Sequence, residues 1–197
     1  MGKTSGASPI SIAASWLRQA KFEEGPWHNV FSLATINSSG GASCRAVLVY
    51  LLEDDQFTFC TETTSRKNAQ ISHNPQVALS VYWPNMSRQV RLEGVARMGD
   101  QSLSDRHFST LPHGARIMAH ASLSGVPGDP DDVARKAQKL ERELCGREVG
   151  RPDYWRAFTF EPTFVEFLEN CKGWNQRCHR FIYNEESGGW QDWFINP

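Results

Sequence analysis

Near the start of the chain, apolar residues recur at helical spacing. Ile10, Ala14, Leu17 and Ala20 share one face of "ISIAASWLRQAKFE". Residues 1–9 read as a flexible arm that ends in a helix-start signal, with Ser8 as cap and Pro9 at the first helical position. After Gly25-Pro26 the period shortens to two. "VFSLATINSSGGASCRAVLVYLL" predicts two strands joined by a Ser/Gly turn, and "DDQFTFCT" predicts a third strand after an acidic turn. A short amphipathic helix over Arg66–Ser72 precedes Asn74-Pro75. "QVALSVYW" and "RQVRLEGVARM" then read as two more strands. The middle turns helical: "DQSLSDRHFSTL" runs up to Pro112. "DPDDVARKAQKLERELCG" has Asp129 as cap, Pro130 at its first position, Gly146 as stop and a stripe of Val133, Ala137, Leu140 and Leu144. Strand patterns return in "RAFTFEPTFVEFLE", "RCHRFIYN" and "GWQDWFINP". No repeat and no linker-like stretch divides the chain, so residues 1–197 are expected to form one domain, mainly β with helices (α+β): a β-barrel carrying helical decorations.

Composition narrows the function classes. Hydrophobic residues at 40%, charged residues at 22% and a net charge of -1 describe an ordinary globular protein, without the basic excess of a sequence-independent nucleic-acid binder. No apolar run approaches the roughly 20 residues of a membrane span. "MGKTSGASPISIAASW" lacks the apolar core of a signal peptide, so a cytoplasmic protein is expected. Cys44, Cys60, Cys145, Cys171 and Cys178 are odd in number and scattered, which suits free thiols and no metal site.

The chemistry concentrates in "TETTSRKNAQISHNP", Thr61 to Pro75. A phosphate needs cations and directional donors. Arg66 offers a planar fork, Lys67 a mobile charge, and Thr61, Thr63, Thr64 and Ser65 offer hydroxyls beside the free N–H groups of a helix start. Arg45 lies inside the apolar strand "SCRAVLVY", where a cation needs a partner, and Gln89 enters a strand between Arg88 and Arg91. Together these groups could hold a phosphate, its polyol tail and a flat heterocycle.

The order Arg45-x-Val-Leu, Phe-x-Phe-x-Thr61, Ser65-Arg66-Lys67, Asn74-Pro75, Trp83, Arg88-Gln89-Val90 and Glu166-Phe167 resembles the pyridoxamine 5′-phosphate oxidase family, over about Trp16 to Pro197. The resemblance implies an FMN-binding split β-barrel and a homodimer with the flavin at the subunit interface. By that resemblance Arg45, Ala46, Val47 and Leu48 line the flavin, and Cys60 and Thr61 match a Tyr-Thr pair beside it. Ser65, Arg66 and Lys67 hold its phosphate, Gln89 sits near the ring, and Arg180 matches a late arginine.

The family's substrate brings a second phosphate, and there the pattern departs. Tyr50 stands where the family has lysine, and in "HFSTLPHGAR" His107 replaces a tyrosine, Leu111 an arginine and Ala115 a serine. His113 or Arg116 could move into the gap. In the late "QRCHR" two registers are open: one puts Gln176 and Cys178 on the substrate positions, the other puts Arg177 and His179 there. Leu168 stands where a tryptophan is expected, and Trp174 could compensate. A leucine cannot ligate an oxyanion, so the flavin site is expected to persist and the vitamin B6 phosphate site is not. His107, His113, His120 and His179 are candidates for substrate contact or proton transfer, whereas Trp83 and Trp155 suit the core. The expected function is an FMN-dependent oxidase acting on a small, less phosphate-dependent molecule. The alternatives are a true pyridoxine or pyridoxamine phosphate oxidase with a rearranged phosphate site, or a non-catalytic flavin- or haem-binding module.

Overall fold

In the computed structural model, residues 7–124, 128–170 and 175–196 are described. The first helix, α1 (Pro9–Glu23), begins where Ser8 Oγ accepts from the Ile10 N–H at 3.2 Å, and it buries Ala13, Ala14, Leu17 and Ala20. The period-two stretches form strands β1 (Val30–Ile36), β2 (Ala42–Leu51) and β3 (Phe57–Glu62), then β4 (Gln76–Trp83) and β5 (Arg88–Met98). The short helix α2 (Arg66–His73) separates the two groups. Helices α3 (Gln101–Ser109), α4 (His113–Ala121) and α5 (Pro130–Leu144) precede strands β6 (Trp155–Asn170), β7 (Gln176–Asn184) and β8 (Gly189–Ile195).

All the strands pair antiparallel in the order β3-β2-β1-β4-β5-β6-β7-β8, and β3 also pairs with β6. That last pairing closes the first six strands into a barrel. The 16-residue β6 serves two roles: residues 155–160 pair with β3, and its second half carries the β7–β8 extension. It changes role at a bulge, where the register against β5 shifts between Glu93 and Gly94. Inward side chains such as Phe31, Leu33, Val49, Phe59, Leu92, Phe158 and Val165 fill the barrel, with Phe59 and Phe158 stacked at 5.4 Å. Helix α1 closes one side, its Trp16 edge-on to Phe167 at 4.9 Å and beneath the Arg88 guanidinium at 4.4 Å.

The helical middle differs from the sequence expectation in one respect. The helix predicted over 100–111 stops at Ser109, and Pro112 caps a further nine-residue helix, α4, that the periodicity did not predict. Two turns interrupted by Gly114 are too short to establish a 3.6-residue repeat. The stripe of Val133, Ala137, Leu140 and Leu144 is half-buried. Helix α5 ends at Cys145, which takes a left-handed conformation (φ 48°) just before Gly146 (φ 80°).

Candidate functional site

Three cations meet at the junction of β2, β3 and α2. Arg45 donates to neutral oxygens alone among the described residues: Leu33 O at 3.1 Å, Thr35 Oγ1 at 2.6 Å and Gln70 Oε1 at 2.8 Å. Lys67 Nζ donates to Thr61 Oγ1 at 2.9 Å, and the Thr61 and Ser65 hydroxyls lie 2.8 Å apart. Ser65 also caps α2, its Oγ accepting from the Asn68 N–H at 3.3 Å, so the Arg66 and Lys67 N–H groups precede the first intrahelical bond. Burial lowers the Lys67 pKa, as does Arg45, while Glu62 opposes them. Among the described residues no carboxylate lies within ion-pair distance of Arg66 or Lys67. These cations and Ser43, Ser65 and Ser124 border a concavity of about 540 Å³. Clustered positive charge, hydroxyl donors and a helix start form a donor set suited to a phosphate dianion.

Ala46 and Leu48 alternate with buried Val47 and Val49, so they project from the outer face of the sheet, Leu48 41% exposed. Gln89 occupies the same face, three strands away and opposite Leu168. Arg180 lies there too, its Nε and Nη2 donating to Glu166 Oε2 at 3.0 and 2.7 Å, while Arg91 Nη1 donates to Glu166 Oε1 at 2.8 Å. Cys178, opposite Leu168, shares this face with Arg180, and strand alternation sends Arg177 and His179 to the other. His179 Nε2 is 2.8 Å from Asp192 Oδ2 and stacks on Phe194 at 4.2 Å. It is therefore not brought together with Tyr50 and His107.

Tyr50 follows Leu48 on the outer face and meets the α3–α4 cover. Its ring lies edge-on to His107 at 4.3 Å, and His107 faces Trp155 at 6.0 Å. Leu111 packs into the cluster of Phe108, Ala119 and Trp155, beside the half-buried Cys60, whose thiol pKa is pushed up by burial. Ala115 is exposed on α4. The two side chains that could have filled the gap are engaged elsewhere. Arg116 donates to the carbonyls of Leu111 and Ser109 at 2.9 and 2.5 Å, and His113 pairs with Glu141 at 2.9 Å. His120 bonds Gly150 O at 2.7 Å. Trp174 lies outside the described residues.

The sequence pattern described as pyridoxamine 5′-phosphate oxidase matches residues 19–143. The chain belongs to the pyridoxamine 5′-phosphate oxidase family. Named relatives share its whole extent. The pyridoxine/pyridoxamine 5′-phosphate oxidase of Rubrobacter xylanophilus is 34% identical over 192 residues, 96% of this chain and 87% of that protein. The Cupriavidus taiwanensis enzyme of the same name is 36% identical over 193 residues, covering 96% and 89%. Among solved structures, PhzG from Burkholderia lata superposes with a TM-score of 0.88 at 23% identity, over 98% of this chain and 95% of that one. A pyridoxamine 5′-phosphate oxidase-related, FMN-binding protein from Nostoc punctiforme gives 0.81 at 22%, over 98% and 100%. Both show the split-barrel fold.

Three residues around this cation corner escape a reading of residue types. Gln70 is buried and holds Arg45 in place, its Oε1 also accepting from Thr35 Oγ1 at 2.7 Å and its Nε2 donating to Ser43 Oγ at 3.0 Å. Glu62, buried, accepts from the Ser124 N–H and so brings the segment after α4 to the cation concavity, where Ser124 joins its border. A glutamine on an amphipathic helix reads as a solvent-facing residue, and Ser124 carries no pattern at all. One signal existed for Gln70, its place beside Ile71 on the helix flank that turns inward.

His107 adds a pH dependence. Its ring is 2% exposed, neither nitrogen has a partner among the described residues, and burial lowers its pKa. The folded protein thus holds the neutral ring, while the unfolded chain binds a proton near pH 6.5. This contribution to stability is fully present above that pH and lost as pH falls below it. Thermal midpoints of the wild type and His107→Phe between pH 7.5 and 5.5 should therefore shift in favour of the variant as pH drops. A constant difference would mean that the ring gains a proton in the folded state as readily as in the unfolded chain.

Proposed function

We propose that this protein is an FMN-dependent oxidoreductase of oxidase type, acting on a small ring compound that does not rely on a second phosphate. One contrast carries the reading. The cation concavity at Arg45, Arg66 and Lys67 is intact, whereas the four places where the resemblance expects ligands for a substrate phosphate hold Tyr50, His107, Leu111 and Ala115. Leu111 is committed to an apolar cluster, and Arg116 and His113 are bonded elsewhere. Each missing charge-assisted bond removes about 1.5–3 kcal/mol, so a phosphorylated substrate would lose several orders of magnitude in affinity. The fold accommodates other ligands: the PhzG structure is a complex with tetrahydrophenazine-1-carboxylic acid, a ring acid without phosphate.

When bound, FMN supplies an isoalloxazine ring that accepts two electrons. The chain's own residues fix where it lies. Arg66, Lys67 and Ser65 anchor the phosphate. Arg45, clamped by Thr35 and Gln70, directs the tail, while Ala46 and Leu48 offer a flat apolar surface. Burial raises the Tyr50 pKa, which keeps its phenol a neutral donor at the substrate side. Gln89 lies on β5, three strands from β2 in either direction round the closed six-strand barrel, so the Gln89 and Arg180 that complete this site belong to a second copy lying on the outer face. Leu48, Tyr82, Ile182 and Trp193 leave that face apolar and exposed, which favours a homodimer.

The test is an absorbance spectrum of the purified protein, then anaerobic addition of pyridoxine 5′-phosphate. Flavin bands that do not bleach are expected, together with a light-scattering mass about twice 22.3 kDa. Prompt bleaching would identify a vitamin B6 phosphate oxidase with a rearranged site, the reading favoured by the names of its relatives. A colourless protein that refuses added FMN, or a monomeric mass, would remove the flavin or the dimer assignment respectively.

A further inference from the structure

Beside Tyr50, between the β2–β3 turn and α3, lies a recess of about 390 Å³ with features that the flavin assignment leaves unused. The buried His107 ring lines it, with both nitrogens unpartnered among the described residues. Arg106 enters from the helix side, bonded to the neutral Ser102 Oγ at 3.0 Å and to no carboxylate among the described residues. Asp54 enters from the turn side. Asp54 and Asp55 both take positive φ (58° and 61°), and the two carboxylates part: Asp55 pairs with Arg18 on α1, whereas Asp54 lines the recess with no ion-pair partner among the described residues. Gln56 and Thr110 complete a polar rim around the Tyr50 ring.

We propose that this recess binds the substrate's ring, and that the substrate is a planar compound carrying one carboxylate and one protonated amine. The carboxylate pairs with Arg106 and the amine with Asp54, while the ring lies against the wall formed by the Tyr50 and His107 rings. An isolated anion would leave Asp54 facing it unpaired, and an isolated cation would do the same to Arg106, so the charge pair selects for a zwitterion. Tyr50 joins this recess to the strand that carries Ala46 and Leu48. The substrate assignment therefore rests on the flavin-site reading, whereas the recess itself does not.

The probe is 4-(aminomethyl)benzoate, titrated calorimetrically into the FMN-loaded protein beside benzoate, benzylamine and pyridoxamine 5′-phosphate. The zwitterion should bind about tenfold or more tightly than either half. Asp54→Asn should abolish its advantage over benzoate, and Arg106→Met its advantage over benzylamine; both residues are exposed, so both variants should fold. The zwitterion should also shift the flavin absorbance bands. Equal binding of all three ring probes, or tighter binding of pyridoxamine phosphate, would overturn the ligand class. Zwitterion binding without a flavin shift would overturn its role as substrate. Repeated without flavin, the same titration separates the two readings: a protein that refuses added FMN yet still selects the zwitterion would defeat the flavin reading and leave the recess standing.

Discussion

Arg66→Ala combined with Lys67→Ala should give a folded, colourless protein. The two side chains supply the charge-assisted bonds assigned to the FMN phosphate. At about 1.5–3 kcal/mol each, their loss weakens FMN by roughly 10²- to 10⁴-fold, enough for the flavin to be lost during purification. The fold should be nearly indifferent. Arg66 is exposed, alanine is a strong helix former, Ser65 still caps α2, and Thr61 keeps its bond to Ser65 when Lys67 goes. Arg45→Ala would be a poorer probe, since it strips partners from buried Thr35 and Gln70 and so confounds binding with stability. Absorbance near the flavin bands, far-ultraviolet circular dichroism and an FMN titration separate the outcomes. A double variant that purifies yellow would place the phosphate elsewhere and remove the central assignment.

What the sequence conveyed about this site follows from the range over which each signal acts. Alternation along β1 to β5 is local, because each strand has one face in the barrel and one outside it, and so is the Ser8-Pro9 signal that begins α1. Barrel closure is not local. Phe57 pairs with Phe160 about a hundred residues later, and nothing in "DDQFTFCT" names its second neighbour. The late "QRCHR" left two registers against the family motif open because "ENCKGWN" before it is slightly longer than its counterpart. In the fold Arg180 bonds Glu166 on the outer face, whereas His179 turns to Asp192 on the other. The cation corner was legible because phosphate chemistry restricts residue types within a few positions. The recess at His107 was not, since Asp54 and Arg106 are ordinary surface charges until the β2–β3 turn and α3 come together.

Gly94→Ala should be the most damaging single-methyl change in the barrel. A Cβ there would lie 2.1 Å from Glu161 O and 2.8 Å from Pro162 Cα, both backbone atoms, so no rotamer relieves the clash. The strands β5 and β6 must separate at the bulge where β6 passes from closing the barrel to carrying β7. Leu92 and Ala96, almost fully buried on either side, would lose packing with them. A backbone clash belongs at the upper end of overpacking costs, about 3 kcal/mol, a fall of about 6–12 °C in Tm for a chain of this length. Gly114→Ala in α4 supplies the contrast. Its Cβ meets nothing within 4 Å, and removing a helical glycine should raise stability by up to about 1 kcal/mol. The same methyl group should thus act with opposite signs at two glycines. If Gly94→Ala instead melts within a degree or two of wild type, the bulge closes without needing a bare backbone. The close approach of β5 and β6 would then not be what bends β6 out of the barrel to present Glu166 and Arg180 on the outer face.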